Sequence, residues 1–319
     1  MELHKQLPVH NRLRRSLEQL KEVDNESIDG TKANVEQQIL TLNDSQREHD
    51  TVTSAPSAGM RKAKVTIIDL ENQSLADLDR YLAIEEPLEL YLNGRLSTTI
   101  FSTPIMLKEQ VIGYLLDEGI ISSVDQVLSI RFQGNNRANV HLSFDPSSKL
   151  SAASMYRVVT TACGLWDPEF TRLLDRIRKP RVDSSYSVRV SEIFHMMEDF
   201  MERCELWKIT GSTHSAALYE RGRLVGFGED VGRHNAMDKA IGQAALSRAK
   251  FEMCVAFSTG RQPADMVLKT ARIGVPIVVS NTNAVYSGVY AAERTNSTLI
   301  GSVRPPRLVL YTGKHRVCT

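Results

Sequence analysis

A chain of 319 residues with 42% hydrophobic content can bury a full globular core, as one large domain or two modest ones. Its 39 lysines and arginines against 38 aspartates and glutamates leave a formal charge of +1, so no global field draws it to nucleic acid or an anionic membrane, and any anionic ligand must be held locally. The four cysteines, Cys163, Cys204, Cys254 and Cys318, lie far apart in sequence, which argues against a local zinc knuckle or C-x-x-C redox pair and fits free thiols in a reducing, cytoplasmic compartment. No signal peptide is expected, and no apolar run nears the roughly 20 residues of a membrane span.

The first aromatic residue is Tyr81. Residues 1–60 are so polar that they cannot offset their ordering entropy by burial, and an N-terminal disordered arm is predicted there. Within it, Leu13, Leu17 and Leu20 have the spacing of a short amphipathic helix that a partner could take up. From Leu82 the pattern becomes regular. Leu88 to Leu92 and the turn Asn93-Gly94 predict a hairpin. Thr103-Pro104 reads as the cap and first position of a helix with Ile105, Val111, Ile112, Leu115 and Leu116 as its buried stripe and Gly119 as its stop. The segment Val127 to Phe144 predicts a second hairpin. Residues 82–150 are thus expected to form a smaller, mixed α+β part.

In the remainder, residues 151–316, Ile193, Met197, Phe200, Met201 and Cys204 fall on one helical face, which makes Cys204 a packed thiol. Ser215 to Tyr219 and Arg223 to Phe227 bracket a turn at Glu220-Arg221-Gly222. Then come a strand over Met253–Phe257, which places Cys254 in the core, a helix from Pro263 to Ile273, a strand over Val275–Val279, a helix over Ala284–Arg294 and a strand over Thr298–Gly301. That βαβαβ run predicts parallel strands and an α/β core.

Ligands of parallel sheets bind beyond the carboxyl ends of the strands, and helices that start there offer free N–H groups to phosphate. The loops at these ends carry Arg261, Arg304 and Arg307, which suit phosphate oxygens. Neither a G-x-G-x-x-G nor a G-x-x-x-x-G-K-[ST] element occurs in these loops, which weakens dinucleotide-hydride and ATPase readings. The densest polar run, Glu229 to Lys239, could be a solvated helix start, with Asp230 at the positive helix end. Its Gly232-Arg233-His234 core, with Thr210-Gly211-Ser212-Thr213-His214 upstream, points instead to site residues. Cys163 fits neither strand nor helix periodicity and is expected in a loop. An accessible thiolate there could attack a donor persulfide, with His214, His234 or Arg233 lowering its pKa.

The segments EDVGRHNAMDK (229–239), TGSTHSAAL (210–218), STGR (258–261), PLELYLNGR (87–95), TPIMLKEQVIGYLLDEGII (103–121) and TLIGSVRPPRLVLYT (298–312), taken together and in order, resemble the formate dehydrogenase accessory sulfur-carrier family FdhD over about Leu82 to Arg316. The resemblance implies that Cys163 carries a persulfide, that a cysteine desulfurase supplies the sulfur, and that the acceptor is the bis-molybdopterin guanine dinucleotide cofactor of formate dehydrogenase. It implies cofactor contacts along Ser302, Val303, Arg304, Pro305, Pro306 and Arg307, and Arg261, His214, Arg233 and His234 are candidate cofactor-binding residues beside them. It further implies a homodimer and a cytidine deaminase-like three-layer core, without deaminase activity, because the H-x-E and P-C-x-x-C zinc pattern is absent. Two positions depart from the family. Trp166 stands where many members have a second cysteine, so a relay here needs only one thiol, and Asp265 replaces the usual Glu. The alternatives are a cofactor-binding chaperone that moves no sulfur, and a nucleotide hydrolase, which lacks an evident metal site or nucleophile pair.

Overall fold

The computed structural model of the protein describes residues 59–147, 149 and 180–319; the predicted N-terminal helix and Cys163 lie outside the described residues. No described helix is long and apolar enough to cross a membrane. The described chain opens with a hairpin, β1 (Met60–Asp69) and β2 (Ser74–Ala83), whose residues are mostly exposed. Residues 66–77 fall outside the unit that holds residues 78–319, and within them Asp69 accepts the turn N–H groups of Glu71 and Asn72, and Thr66 donates to Asp77. The periodicity reading, which began regular structure at Leu82, did not anticipate this hairpin. Its strands bury too little to show a two-residue alternation of hydrophobicity.

β3 (Glu86–Leu92) and β4 (Arg95–Ser102) form the predicted hairpin, with Asn93 and Gly94 both at positive φ, as a two-residue turn of matching twist requires. β5 (Val127–Gln133) and β6 (Arg137–Leu142) form the second. β3 runs parallel to β6, giving a four-stranded sheet in the order β4-β3-β6-β5. Leu88, Leu90 and Leu92 alternate onto its buried face, as do Ala138, Val140 and Leu142. Helix α1 (Leu107–Asp117) covers this face with Val111, Ile112 and Leu115, and Gly119 at positive φ lies just past its C-cap, Glu118. The helix starts later than expected. Met106 is its N-cap, while Thr103 is buried outside the helix, its backbone N–H claimed by a distant carboxylate, Asp230.

The larger sheet has six strands in the order β13-β12-β11-β10-β8-β9. After β7 (Val188–Arg189) come helices α2 (Val190–Glu202) and α3 (Glu205–Thr210), then the hairpin β8 (His214–Glu220) and β9 (Arg223–Asp230), and helix α4 (Arg233–Leu246). The βαβαβ run is β10 (Cys254–Ser258), α5 (Ala264–Arg272), β11 (Ile277–Ser280), α6 (Tyr286–Thr295) and β12 (Thr298–Arg304). Its three strands are parallel, as predicted. β13 (Arg307–Thr312) and a short β14 (Val317–Cys318) finish the chain. The expected Ser302–Arg307 loop is mostly strand. Ser302, Val303 and Arg304 belong to β12, and only Pro305-Pro306, joined by a cis bond, turns the chain into β13.

Alternation along the strands divides the core. Leu218 and Ala256 face α1 and α4, whereas Ala217, Tyr219, Val255 and Phe257 face Ile193, Met197 and Phe200 of α2. α5 and α6 pack on Val278 and Leu299. Cys204 and Cys254 are both fully buried, and burial pushes their thiols up to about 11 and about 12, so both are inert packing groups. α1 and α4 touch backbone to backbone. A Cβ on Gly113 would overlap the carbonyl oxygen of Asp238, and one on Gly242 that of Glu109, so glycine on both helices sets their separation.

A candidate anion site at the strand ends

The register gathers polar residues at one edge of the large sheet. Ser258 at the end of β10 pairs with Ala216 near the start of β8 and with Ser280 at the end of β11, and His214 pairs with Asp230 at the end of β9. Helices α4, α5 and α6 each start shortly after one of these strand ends. This is the geometry that the strand-end rule anticipates for a ligand.

Most of the polar run Glu229–Lys239 builds the scaffold. Glu229, 7% exposed, accepts the N–H groups of Leu206 at 2.9 Å and Trp207 at 3.1 Å and the Ser215 hydroxyl at 3.1 Å, so it caps α3 from across the fold. Burial raises its pKa against the pull of those bonds. Asp230 accepts the Thr103 N–H at 2.9 Å and the Lys239 ammonium at 2.6 Å. Lys239 is fully buried and also donates to the carbonyls of Thr103 and Glu229. Asp238 faces Lys269 at 2.6 Å, and Lys269 meets Asp117 at 2.7 Å. Asn235 donates to the Phe101 carbonyl and to Asp230. The run is therefore not a solvated helix start. It is an internal polar knot that joins β9, α4, α5, α1 and the β4–α1 connection.

What the knot leaves over is Arg233 and His234, the first two residues of α4. His234 Nε2 lies 2.8 Å from Asp265 Oδ2 in the first turn of α5. Arg233 packs its aliphatic stem against Gly260, where a Cβ would stand 3.0 Å from Arg233 Cβ, and its Nε is buried with no hydrogen-bond partner among the described residues. His214, half-buried, lies with Nδ1 3.4 Å from the Thr259 hydroxyl. Its pKa is lowered, first by burial and then by the positive charges of Arg233, His234 and Arg261. Arg233, His234 and Arg261 thus lie close enough to act on His214, although 19 positions of chain separate His214 from Arg233.

The other expected contacts sit differently. Val303 is buried in the core on the α2 side. Ser302 donates its N–H to the Thr282 carbonyl at 2.8 Å, and its hydroxyl bonds Asn283, which ties the β12 end to the β11–α6 loop. Arg304, Pro305, Pro306 and Arg307 are exposed around the turn, and neither arginine shares a hydrogen bond or ion pair with the four-residue group among the described residues. Two partners of the cluster were not singled out as site residues from sequence. Thr259 and Asp265 each anchor one imidazole; the STGR segment and the family's Glu position drew attention to both, but nothing local in the sequence assigns them an imidazole.

The arrangement suits an anion. Negative charge placed among Arg233, Arg261 and His234 offsets the charges that hold the His214 pKa down, so pyrophosphate is expected to raise it. Binding should then take up a proton when the pH lies between the free and bound values. An NMR titration of the His214 ring with and without pyrophosphate measures this; an unmoved titration midpoint counts against the site.

A profile described as the FdhD/NarQ family matches residues 83–318. A protein of Methanothermobacter thermautotrophicus named Sulfur carrier protein FdhD is 34% identical over 233 residues, 72% of this chain and 88% of that one. One of the same name from Sulfurisphaera tokodaii is 34% identical over 268 residues, 81% of this chain and 100% of that one. Among solved structures, that of a formate dehydrogenase accessory protein from Desulfotalea psychrophila superposes with a TM-score of 0.66 at 27% identity, covering 81% of this chain and 99% of that one.

Proposed function

The chain belongs to the FdhD/NarQ family, and from that membership we propose that it is a sulfur carrier for formate dehydrogenase, working through a persulfide on Cys163. In this reading the Cys163 thiolate attacks the terminal sulfur of a cysteine desulfurase persulfide, takes that sulfur as its own persulfide and releases the desulfurase thiolate. The S–S bond of the persulfide then breaks, the outer sulfur passes to the bis-molybdopterin guanine dinucleotide cofactor of formate dehydrogenase, bound as substrate, and Cys163 leaves as its thiolate. The observation that carries the reading to this chain is the gathering of His214, Arg233, His234 and Arg261 at one sheet edge, where they match the negative charge of dinucleotide phosphates. In this reading Ser302, tied to the β11–α6 loop, and the exposed Arg304, Pro305, Pro306 and Arg307 extend the contact surface, without the buried Val303 side chain. A cytidine deaminase-like three-layer core is part of the proposal, and a large sheet with α2 on one face and α4 on the other supports it. A homodimer in the cytoplasm, with a cysteine desulfurase and formate dehydrogenase as partners, completes the proposal. Trp166 in place of a second cysteine favours a one-thiol relay.

Intact mass after incubation with a desulfurase and cysteine tests it. Wild type is expected to gain the mass of one sulfur, reversibly with reductant, and Cys163→Ala to gain none. No gain in wild type, or a gain that persists without Cys163, would replace the carrier with a cofactor-binding chaperone.

A further inference from the structure

His234 and His214 are each held at one ring nitrogen, and in each the other nitrogen has no partner among the described residues. The anchor of His234 is the firmer. Asp265 Oδ1 accepts the Met266 N–H at 2.9 Å while Oδ2 faces His234 Nε2 at 2.8 Å, so both carboxylate oxygens are engaged and the group has little freedom to turn. An ionised carboxylate has no proton to give. The proton between them therefore sits on Nε2, and a neutral His234 presents its lone pair at Nδ1. The side chain is 37% exposed, at the edge where Arg233 and Arg261 attract anions.

We propose that Asp265 is a positioning residue that holds His234 so that Nδ1 accepts the proton of a sulfhydryl or persulfide group entering this edge. The inference rests on the sulfur-carrier reading and adds the proton acceptor to it. The S–H bond breaks heterolytically, both electrons remain on sulfur, the proton goes to Nδ1, and Asp265 balances the imidazolium charge. No oxidant or reductant takes part. His214 complements it: with Nδ1 against the Thr259 hydroxyl, its Nε2 is the ring atom left for the ligand.

The test compares wild type with Asp265→Asn and Asp265→Glu in the full chain, timing sulfur loading by intact mass after mixing with a desulfurase and cysteine. Asparagine can still accept the Met266 N–H in the first turn of α5, so a purely structural role predicts wild-type loading in that variant. The proposal expects Asp265→Asn to load on the order of 10-fold more slowly, Asp265→Glu to restore most of the rate, and both to melt as wild type does. Loading by Asp265→Asn at the wild-type rate overturns it. A second readout stands apart from sulfur chemistry, so it decides the matter even if wild type takes up no sulfur and the carrier reading itself fails. In nitrogen-15 correlation spectra of the histidine rings at a pH of about 8.5, where an ordinary imidazole is neutral, wild-type His234 is expected as the Nε2–H tautomer. In Asp265→Asn, which brings an N–H donor to Nε2, it should shift toward Nδ1–H. The same tautomer in both proteins overturns the proposal.

Discussion

Lys239→Met is expected to lower the unfolding free energy by about 3–5 kcal/mol, the cost of breaking a buried ion pair from one side. The ammonium and the Asp230 carboxylate are both fully buried and 2.6 Å apart. Burial lowers the Lys239 pKa, and Asp230 opposes that effect, so the pair exists because each charge neutralises the other's desolvation. Methionine fills similar volume yet strands the Asp230 charge and removes the donor to the carbonyls of Thr103 and Glu229. Lys239 also fastens the β4–α1 connection to the base of α4, which carries Arg233 and His234. The variant should therefore weaken pyrophosphate binding as well as stability. Urea unfolding of Lys239→Met, and of Lys239→Met combined with Asp230→Asn, measures the effect. The double variant should recover part of the loss, since it strands no charge. A loss below about 1 kcal/mol for the single variant, typical of exposed pairs, would mean the pair is not buried as described.

The elements were legible where short-range rules act. The Asn93-Gly94 turn, the apolar stripe of α1, the face of α2 and the βαβαβ run all follow from spacing within a dozen residues, and the structure places them within a few positions of expectation. What was hidden depends on partners far away in the chain. Thr103-Pro104 has the composition of a helix start, yet the Thr103 N–H is taken by Asp230, 127 positions later, and the helix begins at Leu107. The Glu229–Lys239 run looks like charged surface or an active site, and only tertiary packing divides it. Glu229, Asp230, Asp238 and Lys239 become buried scaffold, whereas Arg233 and His234 remain at the edge. The same holds within the candidate site. His214 and His234 stood out by residue type and small neighbours, but their anchors Thr259 and Asp265 are identified by distance alone. Val303 shows the reverse error, for a strand residue inside a motif was grouped with ligand contacts although alternation turns it into the core.

The second buried knot allows a prediction in which the sign of the pH dependence is diagnostic. Lys269 stands between Asp117 and Asp238, linking α5 to α1 and α4. Burial opposes its charge, but the two carboxylates more than offset this and hold its pKa up. One cation faces two buried carboxylates, and the Asp117 pKa is raised by burial and then by the Asp238 charge, with Lys269 pulling the other way. Lys269→Met removes that pull, so the Asp117 pKa in the folded state should climb further above its unfolded value. A group with a raised folded-state carboxyl pKa binds more protons folded than unfolded, and its contribution to stability falls as pH rises through the window between the two values. The variant should therefore lose about 3–5 kcal/mol relative to wild type near neutral pH, and the deficit should shrink as the pH is lowered toward the ordinary carboxylate range. Denaturant titrations of both proteins at several pH values measure it. A deficit that stays constant with pH would mean that the lost stability comes from the packing of the lysine stem against its neighbours, and that the charge of Lys269 does not hold the Asp117 pKa down.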